Sequence, residues 1–191
     1  MNEDAELVLR TRQGDFGAFE TLYHKYKKRV YGTALAITRE KSAAEEILQE
    51  SFIKLFSHIG RLDGSLPLSP WLHRVAVNLS YNWLKKKHFW LVSLDGLVDR
   101  LIAKPQRSPE QALEREELRH MVRKAIDSLS FKHRVVIILY YLQDFSLSEI
   151  AEILDCPLGT VKSRLHYGRR HLERELRQEH HLKGEMAYEF T

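Results

Sequence analysis

Cations and polar side chains recur at helical spacing between residues 158 and 174 of this 191-residue chain. At about 100° per residue, Ser163, Tyr167 and Arg170 point to the same side of a helix. Hydrogen-bonding side chains can read base edges in a duplex groove, while flanking cations bind phosphates. This segment therefore predicts binding of duplex DNA through Lys162, Ser163, Arg164, His166, Tyr167, Arg169 and Arg170.

Two helices that meet at a tight turn would position these side chains. Ser146 and Glu149 have the spacing of a capping box, in which each side chain satisfies an amide at a helix start. That helix ends at Asp155, and Pro157 fits the first position of the next helix. The small Ala151 lets the helices approach, which predicts a helix-turn-helix whose second helix enters a major groove. The alternative is a basic surface helix in an ordinary helical hairpin.

The first half of the chain repeats apolar residues with the period of a helix over residues 19–37, 42–59 and 69–87. In the second of these segments Phe52 lies in the apolar stripe, and Ile47 and Phe56 widen it. Residues 61–70 contain two prolines and break the pattern. A small helical bundle with a loop before its last helix is predicted.

The predicted fold is all-α, with two small helical domains joined by a flexible linker. Helical periodicity fades between the halves, where two prolines follow Lys104 and Ser108. The predicted boundaries are a first domain at 1–88, a linker at 89–112, a second domain at 113–178 and a mobile tail at 179–191. Basic side chains outnumber acidic ones in both domains, which indicates a polyanion contacted at two places.

Composition excludes several classes of protein. The chain is 43% hydrophobic and 29% charged, which is typical of a globular protein. Its longest apolar run, from Val135 to Leu142, is too short to span a bilayer, and its acidic start is not a secretory signal, so we expect a cytoplasmic protein. The single Cys156 excludes an internal disulfide. The sequence has no catalytic triad, phosphate-binding loop or metal-ligand cluster, so we expect no enzyme, no cofactor and no metal.

Three motifs resemble one protein family. The segment from Asp155 to Arg164 is similar to the promoter-reading helix of the extracytoplasmic-function (ECF) sigma factors, the smallest members of the sigma-70 family. The segment from Ala44 to Phe52 resembles the helix by which that family binds the polymerase clamp. The segment from Trp71 to Asn78 resembles its minus-ten recognition helix. The motifs follow the family's order, and the resemblance covers roughly residues 10–178.

The resemblance implies two sigma domains, region 2 and region 4, that bring RNA polymerase to a promoter and open it. Its implied partners are the clamp and flap surfaces of core polymerase, promoter DNA and an anti-sigma factor. The implied clamp-binding residues are Glu45, Glu46, Gln49, Glu50 and Phe52. Those implied for the minus-ten element are Leu62, Asp63, Trp71, Arg74, Asn78, Asn82, Lys85 and Lys86. Thr160 joins the seven residues named above at the minus-thirty-five element.

The sequence departs from the family at three places. Tyr167 stands where many members have arginine, and Asn82 where many have aspartate. The loop before Trp71 carries leucines where the family often has phenylalanines. We therefore expect the promoter sequence to differ from that of relatives.

Two other functions fit parts of the sequence. A dimeric helix-turn-helix regulator would need a dimerisation helix and a palindromic site, and the clamp-like helix argues against it. A helical adaptor or anti-sigma-type module without DNA contact is opposed by the basic outer face of residues 158–174.

Overall fold

The computed structural model describes residues 3–62, 67–86 and 109–180. Within these ranges the chain is helical and contains no strand, which confirms the prediction of an all-α fold. The helices up to Lys86 form one compact unit, and those from Pro109 onward form most of a second. None of the helices in the described ranges is long and apolar enough to cross a membrane.

The first unit is a bundle in which α2 packs against α1, α3 and α4. Its core is built from small and aliphatic side chains at helical spacing, including Leu22, Val30, Leu55 and Leu72, each of which is fully buried. Three of the helices confirm the segments predicted from apolar periodicity. The bounds are α1 Glu3–Arg12, α2 Phe16–Thr38, α3 Lys41–His58, a 3-10 turn Ile59–Arg61 and α4 Leu68–Lys86.

The sequence did not predict α1, because only two of its apolar side chains, Leu7 and Val8, reach the core. A polar contact holds it instead. Asp4 is 7% exposed and accepts a hydrogen bond from the Tyr26 hydroxyl, while Lys25 Nζ lies 2.7 Å from Asp4 Oδ1. Burial raises the pKa of Tyr26 above its ordinary value, so the hydroxyl stays protonated and remains a donor. The ion pair and the hydroxyl together satisfy a carboxylate that would otherwise be costly to bury.

A histidine is buried in the middle of the first unit. His73 has no exposed surface, and its Nδ1 shares a 2.9 Å hydrogen bond with Thr33 Oγ1. Burial lowers the pKa of His73 to about 3, with the nearby charge of Arg29 acting in the same direction. The side chain is therefore neutral in the folded chain throughout the physiological pH range.

Acid should destabilise the first unit through His73. Below pH 6.5 the unfolded chain binds a proton at this residue that the folded chain does not bind, so stability falls until the pH reaches the folded pKa of about 3. At one pKa unit per 1.36 kcal/mol, the loss at pH 5 is about 2 kcal/mol. Urea unfolding of the wild type and of His73→Asn at pH 7 and pH 5 measures this loss of stability. An equal pH dependence in the two chains would contradict this assignment.

The helices from Pro109 onward are α5 Pro109–Ser128, α6 Phe131–Tyr141, α7 Leu147–Leu154 and α8 Leu158–His180. α8 packs against α5 and α6, and the core includes the fully buried Ile126, Ile137, Ile138 and Leu172. α5 begins at Pro109, so residues 109–112, predicted as linker, are helical. Proline is favoured in the first turn of a helix, where its missing N–H costs nothing.

Helix α8 approaches α6 closely at Gly168. A Cβ atom on Gly168 would lie 3.2 Å from Ile137 Cγ1 and 3.3 Å from Ile137 Cδ1, whereas one on Gly159 of the same helix would meet nothing within 4 Å. We expect Gly168→Ala to lower the free energy of unfolding by up to about 2 kcal/mol, because overpacking costs about 1–3 kcal/mol and the better helix propensity of alanine offsets only about 1 kcal/mol of that. Gly159→Ala, the matched control, should raise it by about 0.5–1 kcal/mol. If both variants changed the free energy of unfolding in urea equally, α8 and α6 would not be tightly packed at Gly168.

Candidate nucleic-acid interface

The turn between α7 and α8 is fixed by local hydrogen bonds. The capping box forms as predicted: Ser146 N donates to Glu149 Oε2 over 2.8 Å, and Glu149 N donates to Ser146 Oγ over 3.3 Å. Asp155 ends α7 in the left-handed conformation with φ of 49°. The carbonyl of Pro157 accepts from the Thr160 amide over 2.8 Å, so Pro157 precedes the first residue of α8 rather than occupying it.

One face of α8 is exposed and polar, as its spacing predicted. Tyr167 is 58% exposed, and Ser163 lies one turn before it with its hydroxyl donating to the Thr160 carbonyl over 2.9 Å. The exposed members of the predicted set are Lys162, Ser163, His166, Tyr167 and Arg170, and Thr160 is half-buried. Side chains at this face can offer both donors and positive charge to a DNA groove.

Two predicted phosphate ligands are held by contacts within the protein. Arg169 is half-buried: its Nε donates to the Tyr141 hydroxyl over 2.8 Å, and its guanidinium lies 5.3 Å from the Tyr140 ring centroid. Arg164 is also half-buried, with Nη1 3.8 Å from Cys156 Sγ. Cation–π contact and the hydroxyl acceptor fix the direction of the Arg169 side chain, which a helical-wheel argument could not show.

Helix α4 brings most of the residues predicted for the minus-ten element to one face. Trp71, Arg74, Asn78, Asn82 and Lys85 lie within about 100° of arc at helical spacing. The last three are exposed, as is the neighbouring Lys86, and the first two are half-buried. The Trp71 ring lies 6.3 Å from that of His58, at the end of α3, and Leu62 is half-buried. Asp63 lies outside the described residues.

An exposed aromatic ring on α4 was missed from the sequence. Tyr81 is 40% exposed, and Lys85 Nζ lies 4.4 Å from its ring centroid. In the sequence, aromatic side chains were expected in the loop before Trp71 rather than on the helix that follows it. Tyr81 stands four residues before Lys85, the spacing at which two helical side chains meet.

Arg12 holds the start of the segment that leads to α4. Its Nε donates to the Ile59 carbonyl over 2.7 Å, and its Nη2 donates to the Leu62 carbonyl. The guanidinium thus ties α1 to the 3-10 turn at the end of α3. No local pattern signals this contact, because its partners lie 47 and 50 residues further along the chain.

The acidic face of α3 is exposed, as predicted for a polymerase-binding surface. Glu45, Glu46, Gln49 and Glu50 all face solvent, and Glu50 Oε1 lies 3.5 Å from Lys54 Nζ. The fifth predicted contact residue, Phe52, is 4% exposed and packs edge-on against Tyr23 with ring centroids 4.9 Å apart. Phe52 therefore belongs to the core and supports this face from behind.

Apolar side chains continue the acidic face of α3. Ile53 is 67% exposed, one turn beyond Gln49, and Phe56 is 45% exposed. The Phe56 ring stacks on Phe16 of α2, which is 72% exposed, at 6.2 Å between centroids. Apolar periodicity predicted Phe56 within the core stripe, and the structure shows it at the edge of that stripe. We call Phe16, Ile53 and Phe56 the apolar patch.

Known families match each unit of the chain. The model for "Sigma-70 region 2" matches residues 22–89, and the model for "Sigma-70, region 4" matches residues 119–172. The two matches contain the predicted clamp-like, minus-ten-like and minus-thirty-five-like motifs in that order.

Curated relatives match over almost their whole length. The ECF RNA polymerase sigma factor SigW of Bacillus subtilis is 34% identical over 89% of this chain and 95% of its own. The ECF RNA polymerase sigma-E factor of Escherichia coli is 33% identical over 91% and 94%. The RNA polymerase sigma-H factor of Pseudomonas aeruginosa is 29% identical over 91% and 94%.

Solved structures share the fold. CnrH, in complex with the cytosolic domain of CnrY, matches with a TM-score of 0.70 at 18% identity, covering 93% of this chain and 99% of that chain. The sigma factor RpoE of Bartonella quintana, in complex with the anti-sigma factor NepR, matches with a TM-score of 0.62 at 22% identity, covering 83% and 96%.

Proposed function

Because this chain belongs to the ECF group of the sigma-70 family and is an RNA polymerase sigma factor that acts in promoter recognition, we propose how its surfaces divide that work. The acidic face of α3 binds the polymerase clamp, the exposed face of α4 binds the minus-ten element, and the exposed face of α8 binds the minus-thirty-five element. The observation that carries this division is the presence of both sigma regions in one chain, each with its own polar face. The same observation supports the predicted order of region 2, linker, region 4 and tail, with α5 extending region 4 back to Pro109 and α8 extending it to His180.

The polymerase-binding surface combines charge with apolar contact. Glu46 and Glu50 can pair with a basic partner, while the adjacent apolar patch provides area that is desolvated on binding. Interfaces of this kind have an apolar centre and a charged rim. The flap surface of the polymerase is the proposed partner of the second unit.

The minus-ten surface is suited to unpaired DNA. Asn78 and Asn82 present amide groups that offer both donors and acceptors to a base edge. Lys85 and Lys86 give the backbone a basic track, and Tyr81 gives a base a ring on which to stack. Arg12 fixes the chain where it leaves α3 toward this surface.

Removing the Tyr81 ring should weaken capture of the melted strand. Stacking of one base on an aromatic side chain contributes about 1–3 kcal/mol, so Tyr81→Ala should reduce binding of holoenzyme to a fork-junction promoter probe by at least about fivefold. Tyr81→Phe keeps the ring and is the matched control. Normal binding by Tyr81→Ala would exclude the ring from the strand-binding surface, and normal core binding must be retained for the comparison.

An anti-sigma factor is the proposed regulator. CnrH was solved with the cytosolic domain of CnrY, and Bartonella quintana RpoE was solved with the anti-sigma factor NepR. Both proteins share the fold of this chain, which supports a partner of the same kind here. We also propose that the chain acts in the cytoplasm, where its DNA and polymerase partners are found, and that it has no catalytic activity of its own.

Comparison of the free chain with holoenzyme tests this function. The free chain should bind promoter duplex weakly and without sequence preference, because each unit offers only a small set of phosphate contacts. Sequence-specific binding should require core polymerase. A dimeric regulator would instead bind a palindromic site tightly on its own at physiological salt, and that result would overturn the proposal.

A further inference from the structure

A basic groove lies beside the base-reading face of α8. It is open to solvent, has a volume of about 680 Å³ and is lined by His133 of α6 together with side chains from the second half of α8. The α8 lining includes Tyr167, Arg170, His171, Glu173, Arg174 and Arg177. Apart from Tyr167 and Arg170, none of these was assigned a role from the sequence.

The groove continues the exposed stripe that begins at Ser163. At helical spacing, Arg170 and Arg174 lie within about 20° of Ser163 around α8. Arg174 is eleven residues beyond Ser163, about 16 Å along the axis. Recognition helices place their N-terminal residues on base edges in a major groove about 12 Å wide, so cations that far along the helix lie near the bordering backbone.

A chain of hydrogen bonds orients Arg174. Its Nη2 donates to His171 Nδ1 over 3.0 Å, and His171 Nε2 lies 2.7 Å from Ser128 Oγ, which donates to the Ala125 carbonyl over 2.8 Å. A guanidinium can only donate, so Nδ1 accepts and the imidazole proton sits on Nε2, facing Ser128. The arrangement holds the guanidinium in place from α5, across two side chains.

Two carboxylates of α8, Glu173 and Glu175, pair with arginines of the groove. Glu173 accepts from Arg177 over 2.9 Å, so Arg177 is already paired within the helix. Glu175 lies 3.3 Å from Arg174 in an exposed contact that water and salt screen. Arg170 is exposed, and no ion pair joins it to a carboxylate in the described part of the chain. Glu173 accepts from both Nε and Nη2 of Arg177, whereas Glu175 makes a single, longer contact with Arg174. Of these groove arginines, Arg170 and Arg174 are therefore the two that carboxylates engage least.

Resting on the proposed function of α8, we propose that this groove binds the phosphate backbone of duplex DNA at the edge of the major groove that α8 enters. Arg170 and Arg174 contact the phosphates, and His171 and Ser128 position Arg174. These contacts carry no base information. They extend the interface of α8 beyond its base-reading segment toward its C-terminal half.

Salt dependence of nonspecific DNA binding tests the proposal. The probe is a fluorescent 30-base-pair duplex of mixed sequence, titrated with the full chain between 25 and 150 mM NaCl. Each lost phosphate contact should make the log–log slope shallower by about 0.9 and weaken binding about tenfold at 50 mM salt. Arg174→Gln should show this loss. Lys124→Gln, which removes an exposed cation of α5 that does not line the groove, should keep the wild-type slope.

A second experiment tests whether Ser128 and His171 position Arg174. Ser128→Ala removes the hydroxyl that holds His171 without changing charge, and it should weaken duplex binding severalfold while the melting temperature stays near that of the wild type. Ser128→Thr keeps the hydroxyl and should restore affinity. Failure of Ser128→Thr to restore it would overturn the positioning role.

Other outcomes separate this proposal from the function on which it rests. If Arg174→Gln keeps the wild-type slope while Lys162→Gln does not, α8 binds DNA but the groove does not, and the proposal is overturned alone. If neither variant changes the slope, the DNA-binding role of α8 fails as well. Competition by 10 mM inorganic phosphate, beyond that of chloride at equal ionic strength, would identify a small-anion site and overturn the proposal.

Discussion

Reversal of charge at Glu46 and Glu50 together should lower the affinity of this sigma factor for core polymerase by about 100-fold. Both side chains face solvent on α3, so the double variant Glu46→Lys, Glu50→Lys should fold normally. Truncating one partner of a desolvated interfacial charge pair costs about 2–5 kcal/mol, and about 2.7 kcal/mol corresponds to 100-fold. Competition binding against wild-type chain on core polymerase measures the loss.

A control variant shows whether the loss of binding comes from the α3 face or from the change in net charge. Glu6→Lys reverses an exposed acid on α1 of the same unit and should bind core polymerase like the wild type. Circular dichroism confirms equal helical content in all chains. Normal core binding by the double variant would show that the acidic face of α3 is not the polymerase contact.

Substitution of Tyr167 should change which bases the holoenzyme prefers in the minus-thirty-five element. Tyr167 is 58% exposed at the centre of the reading face, and Tyr167→Arg introduces a bidentate donor that suits guanine. We expect a shift of about 1–3 kcal/mol, or about 5- to 150-fold, at one or two adjacent base positions. Ser163→Ala should weaken the cognate element more than mismatched ones.

The measurement is transcription from a promoter library randomised in that element. Lys162→Gln is the comparison, because loss of a phosphate contact weakens all sequences alike and leaves the base profile unchanged. If Tyr167→Arg and Ser163→Ala both gave the wild-type base profile, the reading face would lie elsewhere on α8.

Local patterns explain which parts of the fold were predictable. Apolar periodicity identified α2, α3 and α4, and the Ser146 and Glu149 pair located the start of α7, because these signals lie within a few residues of one another. α1 was not predicted because the contacts that hold it join residues far apart in sequence. Asp4 contacts Tyr26 at a separation of 22 residues, and Arg12 contacts Ile59 at a separation of 47. Such contacts exist only once the bundle has formed.

The exposure of residues at the edge of the apolar stripe of α3 was not predictable, and the reason is also physical. Phe52 and Ile53 are neighbours in sequence, yet Phe52 is 4% exposed and Ile53 is 67% exposed, since one residue turns a helix by about 100°. Phe56 lies between these directions, and the position of Phe16 on α2 decides its exposure. Periodicity finds the centre of a stripe well and its borders poorly.

In the candidate DNA-binding site, too, local spacing predicted some features and missed the contacts between helices. The exposed line of Ser163, Tyr167 and Arg170 followed from spacing alone. The contact of Arg169 with Tyr141 did not, because the tyrosine comes from α6, 28 residues earlier. A helical wheel predicts the direction in which a side chain points, but it does not predict which residue of another helix that side chain contacts.

Run-off transcription measures whether this chain gives RNA polymerase its promoter specificity. Purified bacterial core polymerase is combined with the full chain and a library of genomic fragments, and the 5′ ends of the transcripts are mapped. We expect chain-dependent start sites, each at a fixed distance downstream of a two-part sequence motif, and loss of these transcripts with the Glu46→Lys, Glu50→Lys variant. The same transcripts from core polymerase with and without the chain would contradict this expectation.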